Sequence, residues 1–343
     1  MARIRFVSSG VAVALAVVTA AGGVAAGKVA YGGSGPAAGG DGAAVSGTRI
    51  DVITKATDSE FWQSMLAGAK KAGDDSGAQL GLFGPTSETD IDAQVSLVEN
   101  SISRGAEAIV LASNSSTALN GAVDRARKAG IKVITVDNAI TTEAEGFIGT
   151  DNVKAGQQAG ERMCKLLTEN DKADGKILHE SSASGQQVLV DRFKGFKAGL
   201  AAKCPKAEVI QTSVNNNDLN KAVGQVNDAL TATPDLAGVF ADNNTSGTGA
   251  AKAVAERKAS KRVAVVAFDS DPAEIAGIRN GSLDAILVQN PFFFGYQGVL
   301  EAAMAAHDST PPIKLDPGAV VIDKSNVADP QFKQLLDPPK SKG

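Results

Sequence analysis

Histidine and cysteine are scarce in this chain, with two of each among 343 residues. Cys164 and Cys204 lie far apart, and with His179 and His307 they form no ligand set of known metal-site spacing. A chain so poor in imidazole and thiol suits hydrogen bonding better than acid–base or nucleophilic chemistry. No cysteine precedes Cys164, which excludes a cysteine-linked lipid anchor near the start. Neither G-x-x-x-x-G-K nor G-x-G-x-x-G follows an apolar run, so the phosphate-cradling loops of nucleotide sites are absent. Residues 171–175 resemble a fragment of a calcium loop, but the later ligands are missing. We expect no cofactor and no metal. Basic excess is absent too, with 34 Lys plus Arg against 38 Asp plus Glu and no basic block interleaved with aromatics. Nucleic acid is therefore not an expected partner.

What is present is the profile of a globular protein, 43% hydrophobic and 21% charged, long enough for two domains. Arg3 and Arg5, an apolar stretch over 11–21 and the small residues Val24-Ala25-Ala26 read as an export signal over 1–26. The alternative is an uncleaved signal kept as a membrane anchor. A Gly-, Ala- and Ser-rich spacer over 27–47 follows, and structure is expected from about Thr48. The protein is thus expected outside the cytoplasm, periplasmic or on the cell surface. Export permits a disulfide. Cys164 and Cys204 both fall at the C-terminal ends of predicted helices, toward one edge of one sheet, so a bridge is expected, with two buried free thiols as the alternative.

Strand and helix patterns alternate along the chain as in parallel-sheet units. Strands are expected at 49–54, 79–83, 108–111 and 132–136, with helices at 60–76, 90–104 and 116–129, completing one doubly wound lobe near Thr150. The scheme then repeats, with helices at 152–167, 187–203, 221–231, 247–257 and 273–279. The strands between and after them lie at 176–179, 208–212, 238–241, 263–268 and 283–289. A further helix over 293–307 and a last strand over 319–322 complete the pattern. Two such lobes imply a cleft between them. Open parallel sheets bind ligands beyond the carboxyl ends of their strands, and there the apolar runs break into polar residues: Asp137, Asp242-Asn243, Asp269 and Gln289.

The words of the chain resemble a family. Glu60-Phe61-Trp62-Gln63, Gly84-Pro85-Thr86, the run 104–111 (RGAEAIVL), the run 133–137 (VITVD) and the run 148–152 (IGTDN) are similar, in order, to the ribose-type class of periplasmic sugar-binding proteins. So are Gly195-Phe196, the run 241–244 (ADNN), Ala267-Phe268-Asp269 and Gln289-Asn290-Pro291. The resemblance implies the type I fold, α/β, with two doubly wound parallel-sheet lobes joined by a three-strand hinge. The chain would cross near Thr150–Asp151, Gln289–Asn290 and Asp316–Pro317. That gives a first lobe of 48–150 with 290–316, a second of 151–289 with 317–332, and a disordered tail over 333–343. It also implies the substrate-binding subunit of an ABC sugar importer: a monomer that binds a monosaccharide or polyol, partners an ABC permease and its ATPase, and touches the membrane only through the permease or an uncleaved signal.

The residues make sense of a sugar directly. A sugar has an apolar ring face and a rim of hydroxyls that donate and accept, so a site needs an aromatic face, paired acceptors and amides. Phe61 and Trp62, the only Trp, supply the face. Asp137 and Asp269 can each accept two hydroxyl hydrogens, their alternative role being helix capping. Asn243 and Gln289 offer donor and acceptor together, and Gln289 has a second possible role in holding the crossover. Ser59, Asn138, Asn217, Ser113 and Asn114 rank after them, since each could simply satisfy a turn. Where the family pattern carries Arg before Gly195-Phe196, this chain has Val190, with Arg192 two residues on, and Asn138 stands where ribose binders carry Arg. These departures imply the sugar class rather than ribose itself.

There are three rivals, of which the first two are weaker and the third stays open. A hydrolase would use His179 with Ser184, but no G-x-S-x-G elbow is present. A sugar repressor shares the lobes but needs an N-terminal DNA-reading helix pair, where this chain has the signal and spacer. A sensor that presents its closed form to a receptor or kinase keeps the fold and the ligand and differs only in output.

Overall fold

Residues 46–340 are described by the computed structural model of the chain; the expected signal and nearly all of the spacer lie outside the described residues. The elements run β1 (Arg49–Ile53), α1 (Glu60–Ser76), β2 (Gln79–Phe83), α2 (Ile91–Arg104), β3 (Ala108–Leu111), α3 (Asn120–Lys128), β4 (Lys132–Val136) and β5 (Gly146–Ile148). Then come α4 (Asn152–Glu169), β6 (Lys176–Ser181), α5 (Gln187–Lys203), β7 (Glu208–Val214), α6 (Leu219–Ala232), β8 (Leu236–Ala241), α7 (Asn244–Glu256), β9 (Ala264–Phe268), α8 (Pro272–Asn280) and β10 (Ala285–Val288). The chain closes with α9 (Pro291–Ala306), β11 (Lys314–Leu315), β12 (Val320–Asp323), a 3-10 turn (Pro330–Phe332) and α10 (Lys333–Leu336).

The strands form two sheets, ordered β11-β5-β4-β3-β1-β2 and β12-β10-β9-β8-β6-β7. All neighbours are parallel except β12, which runs antiparallel to β10. In each sheet the strand order reverses beside one strand, β1 in the first and β6 in the second, and there a crevice opens at the carboxyl ends. Helices cover both faces, so the strands are apolar on both sides. Val52, Val110 and Ile134 pack toward α1 and α9, while Ile53, Ile109 and Leu111 pack toward α2 and α3. Burying such side chains stabilises by roughly 1.5 to 3 kcal/mol each.

The chain passes from β5 in the first sheet to α4 on the second, from β10 back to α9, and from β11 to β12. Close helix crossings at glycine dock the returning segments. A Cβ on Gly68 of α1 would lie 2.0 Å from the Phe292 carbonyl oxygen of α9. Likewise a Cβ on Gly156 of α4 would lie 2.1 Å from the Arg192 oxygen of α5. Only glycine lets these backbones meet. Cys164 and Cys204 are bridged, with Cα atoms 5.6 Å apart, and tie α4 to the end of α5.

The structure corrects several expectations. The helix expected over 116–129 starts only at Asn120, because the Ser115 hydroxyl accepts from the Thr117 and Ala118 amides and holds a turn ahead of it. β5 and β11, three and two residues long, were too short to register as apolar runs. The tail expected to be disordered over 333–343 instead begins with α10, because Leu336 buries in the second lobe's core beside Leu335 and Phe332. Beyond it, Lys340 Nζ pairs with Glu60 Oε2 of the first lobe at 2.8 Å; residues 341–343 lie outside the described residues.

Candidate interlobe binding site

Asp137 and Asp269 occupy matching places in the two sheets. Each is the first residue after a strand, β4 or β9, and each holds a left-handed backbone, with φ 61° and 82°. Each donates its amide to the neighbouring strand: Asp137 to the Ile148 oxygen at 2.8 Å, and Asp269 to the Leu287 oxygen at 2.9 Å. Asp tolerates this conformation better than most residues, and strain of this kind concentrates at binding sites.

A cleft between the lobes is lined by Lys55, Ser59, Phe61, Trp62, Glu88 and Asp137 from one side. Ser182, Gln186, Arg192, Asn243, Asp269 and Gln289 line the other, with Val188, Leu189 and Asn244. Counted out to its open mouth, the cavity measures about 370 Å³, of which only about 30 Å³ admits the centre of a water molecule. The walls stand close together. Lys55 Nζ reaches across to Gln186 Oε1 of the opposite lobe at 3.4 Å.

Eight expected residues sit directly in this lining with distinct local roles, beginning with the aromatic pair. Phe61 and Trp62 open α1 and meet edge to face, with centroids 4.8 Å apart and planes at 77°. Ser59 precedes them at the N-cap, and its buried hydroxyl makes no bond among the described residues. Asp137 binds Lys55 through Oδ2 at 2.6 Å. Asp269 accepts from Gln289 Nε2 at 2.9 Å and from the Asn244 amide at 3.2 Å, so the crossover glutamine orients the carboxylate. Burial pushes the Asp269 carboxyl above the usual carboxylate range, opposed by the Arg192 charge. Arg192 lies over the Phe268 ring at 4.2 Å, donating from Nε to Asn152 Oδ1 and from Nη1 to the Asp242 oxygen.

Asn243 also lines the cleft, but its amide is largely used by protein: Oδ1 caps α7 at the Ser246 amide and Nδ2 donates to Asn217 Oδ1. Asn217 and Asn138 do not line the cleft. Asn217 holds Asn243, and Asn138 donates to the Ser113 oxygen, because both side chains are taken up by the loops that shape the walls. Ser113 and Asn114 serve the same loops, bonding the Ser115 and Lys55 oxygens. His179 packs between Phe193 and Phe240 and bonds Thr212 and Asp242, so it belongs to the second lobe's core.

Sequence reasoning missed Lys55, Glu88, Ser182, Gln186 and Asn244. Lys55 follows the first strand by two residues, so the strand-end rule applied to 49–54 would have reached it. Glu88, in the loop after β2, accepts the Trp62 indole N–H at 2.7 Å, and burial pushes its carboxyl above the usual range.

Residues 50–308 match the family model described as the periplasmic binding protein domain. This chain belongs to that family. Its resemblance to the ribose-type class is borne out by relatives. Ribose import binding protein RbsB of Escherichia coli K12 is 29% identical over 251 residues, covering 73% of this chain and 82% of the relative. A carbohydrate transporter solute binding protein from Agrobacterium radiobacter, solved with D-arabinose, is 30% identical, with TM-score 0.82 over 85% of this chain and 99% of that one. An ABC transporter solute binding protein from Agrobacterium vitis, solved with α-D-tagatopyranose, is 31% identical, with TM-score 0.79 over 86% and 99%. The two-lobed parallel-sheet architecture expected from the sequence is the type I fold of these structures.

Proposed function

We propose that this family member binds a monosaccharide in the interlobe cleft outside the cytoplasm and delivers it to an ABC permease by lobe closure. The observation that carries the reading is the matched pair Asp137 and Asp269, one on each lobe, facing a single cleft that also holds Phe61 and Trp62. A sugar presents hydroxyls on opposite rims of one ring. Only a closed cleft offers both acceptors to it at once, so the ligand stabilises closure by contacts the open form lacks. The cleft is narrow, with only about 30 Å³ open to the centre of a water molecule, which leaves no room for an oligosaccharide. Its tight walls require the lobes to part before a ring can enter.

No bond-breaking chemistry is assigned to the site: its groups bind and orient. The sugars named for the relatives, ribose, D-arabinose and D-tagatose among them, support the monosaccharide class. The expected signal and the periplasmic description of the family support export, and the mass of the mature N-terminus would reveal whether the signal is removed. The central test is a thermal-shift screen of pentoses, hexoses, deoxysugars and polyols, followed by small-angle scattering of the best binder. A raised melting temperature with a more compact particle is expected. If no sugar or polyol shifts the melting temperature while an amino acid or nucleobase does, the reading fails.

A further inference from the structure

Glu88 sits in a short loop braced by its own turn. The Asp90 amide bonds the Ser87 oxygen at 3.1 Å, the Ser87 and Thr89 hydroxyls meet at 2.9 Å, and Asp90 caps α2 at the Ala93 amide. The loop therefore places the Glu88 carboxyl with little freedom. Its Oε1 accepts the Trp62 indole N–H at 2.7 Å. That in-plane bond, with Phe61 packed on edge, fixes the indole orientation. Its second oxygen, Oε2, takes no donor among the described residues, and Glu88 is in none of the ion pairs found there. Lys55 and Asp137 are near enough for their charges to act on it, in opposite senses.

Holding an indole N–H needs one acceptor, which an amide or a backbone carbonyl supplies without desolvating a carboxyl. Withdrawing a carboxyl from water costs several kcal/mol, roughly 2 to 7 for a neutral polar group and more when charged, unless its remaining sites are bonded. Glu88 lies half-buried in the cleft lining, where a ligand would complete its withdrawal from water, so Oε2 calls for a polar partner on that ligand. We propose that Glu88 is a ligand-contacting, specificity-determining residue, with Oε1 fixing the Trp62 face and Oε2 engaging a hydroxyl of the sugar stacked on it. This rests on the sugar-binding reading. Burial favours the neutral carboxyl, which both donates and accepts, as a sugar hydroxyl does.

A double-mutant cycle separates contact from positioning. The parent, Glu88→Ala, Trp62→Phe and the double variant are titrated by calorimetry with D-ribose, D-arabinose, D-tagatose and D-fucose. Trp62→Phe keeps a ring but removes the indole N–H, so a purely positioning Glu88 has nothing left to hold. Glu88→Ala is expected to weaken the best sugar by about tenfold or more in both backgrounds. Loss in the parent background alone, with no change in the Trp62→Phe background, overturns the contact. Should Glu88→Ala fail to fold or Trp62→Phe bind no sugar, Glu88→Gln decides, because its amide oxygen still accepts the indole N–H. Affinity lowered about threefold or more, with the emission of the single Trp unmoved, supports the proposal; unchanged affinity overturns it. If the parent itself binds none of the sugars, the fault lies with the sugar reading.

Discussion

Lys55 Nζ lies 2.6 Å from Asp137 Oδ2, and the two side chains are only 2% and 5% exposed. A buried pair of this kind adds little over a well-packed apolar substitute, but removing one partner strands the other charge at a cost of roughly 3 to 5 kcal/mol. Lys55→Met is therefore expected to lower unfolding free energy by that order in urea titrations, and adding Asp137→Asn should recover part of the loss. If Lys55→Met alone unfolds at the parent midpoint, the pair does not hold the first lobe's side of the cleft.

Asp269 has a different environment: an amide and a backbone N–H hold it rather than a cation. Asp269→Ala leaves Gln289 without its acceptor and a sugar hydroxyl without a partner, so affinity should fall by about 2 to 4 kcal/mol while the fold persists. Calorimetry with circular dichroism checks both. A folded Asp269→Ala protein that binds as tightly as the parent would place the ligand elsewhere.

Asp137 and Asp269 were legible because each ends a strongly apolar run in a lone acid, and the strand-end rule needs nothing more. Lys55 also follows an expected strand but was passed over, because lysine is almost never fully buried unless paired, and its partner comes from a distant part of the chain. Arg192 shows what helical period adds. On α5 the buried residues Val188, Leu189, Arg192 and Phe196 share one face while Val190 points out, 53% exposed, so the arginine reaches the cleft from a position shifted by two. Gln186 and Glu88 sit in loops, where no periodicity announces a direction. Leu335 and Leu336 beside the charged, Pro-rich end of the chain gave too short an apolar signal to reveal α10.

The Cys164–Cys204 bridge closes a loop with a sequence separation of 40 residues. In the chain-entropy model that restricts the unfolded state by about 3 to 4 kcal/mol. Cys164→Ala with Cys204→Ala should lower stability by about this amount with sugar affinity kept within about threefold, because the bridge lies outside the cleft lining. Unfolding with and without reductant, and mass spectrometry of the unreduced exported protein, check the two halves of the claim. Thiols that alkylate freely in the unreduced, denatured protein would remove it.

Glu180 is sealed under the second lobe's cleft wall, at 0% exposure. Burial pushes its carboxyl from 4.5 to about 8, the Asp242 charge adds to the rise, and the bond from Asn215 Nδ2 opposes it. Between those values the folded protein keeps a proton that the unfolded chain has released. Stability from this group is therefore complete below about pH 4.5 and falls as pH rises to about 8, at up to about 1.4 kcal/mol per pH unit. Glu180→Gln keeps an acceptor for Asn215 and carries no charge at any pH, so it should flatten this decline. It should gain on the parent most at about pH 8 and least at about pH 5. Urea unfolding of both proteins across that range is the measurement. Equal slopes would mean that the Glu180 carboxyl ionises in the folded state as readily as in the unfolded chain.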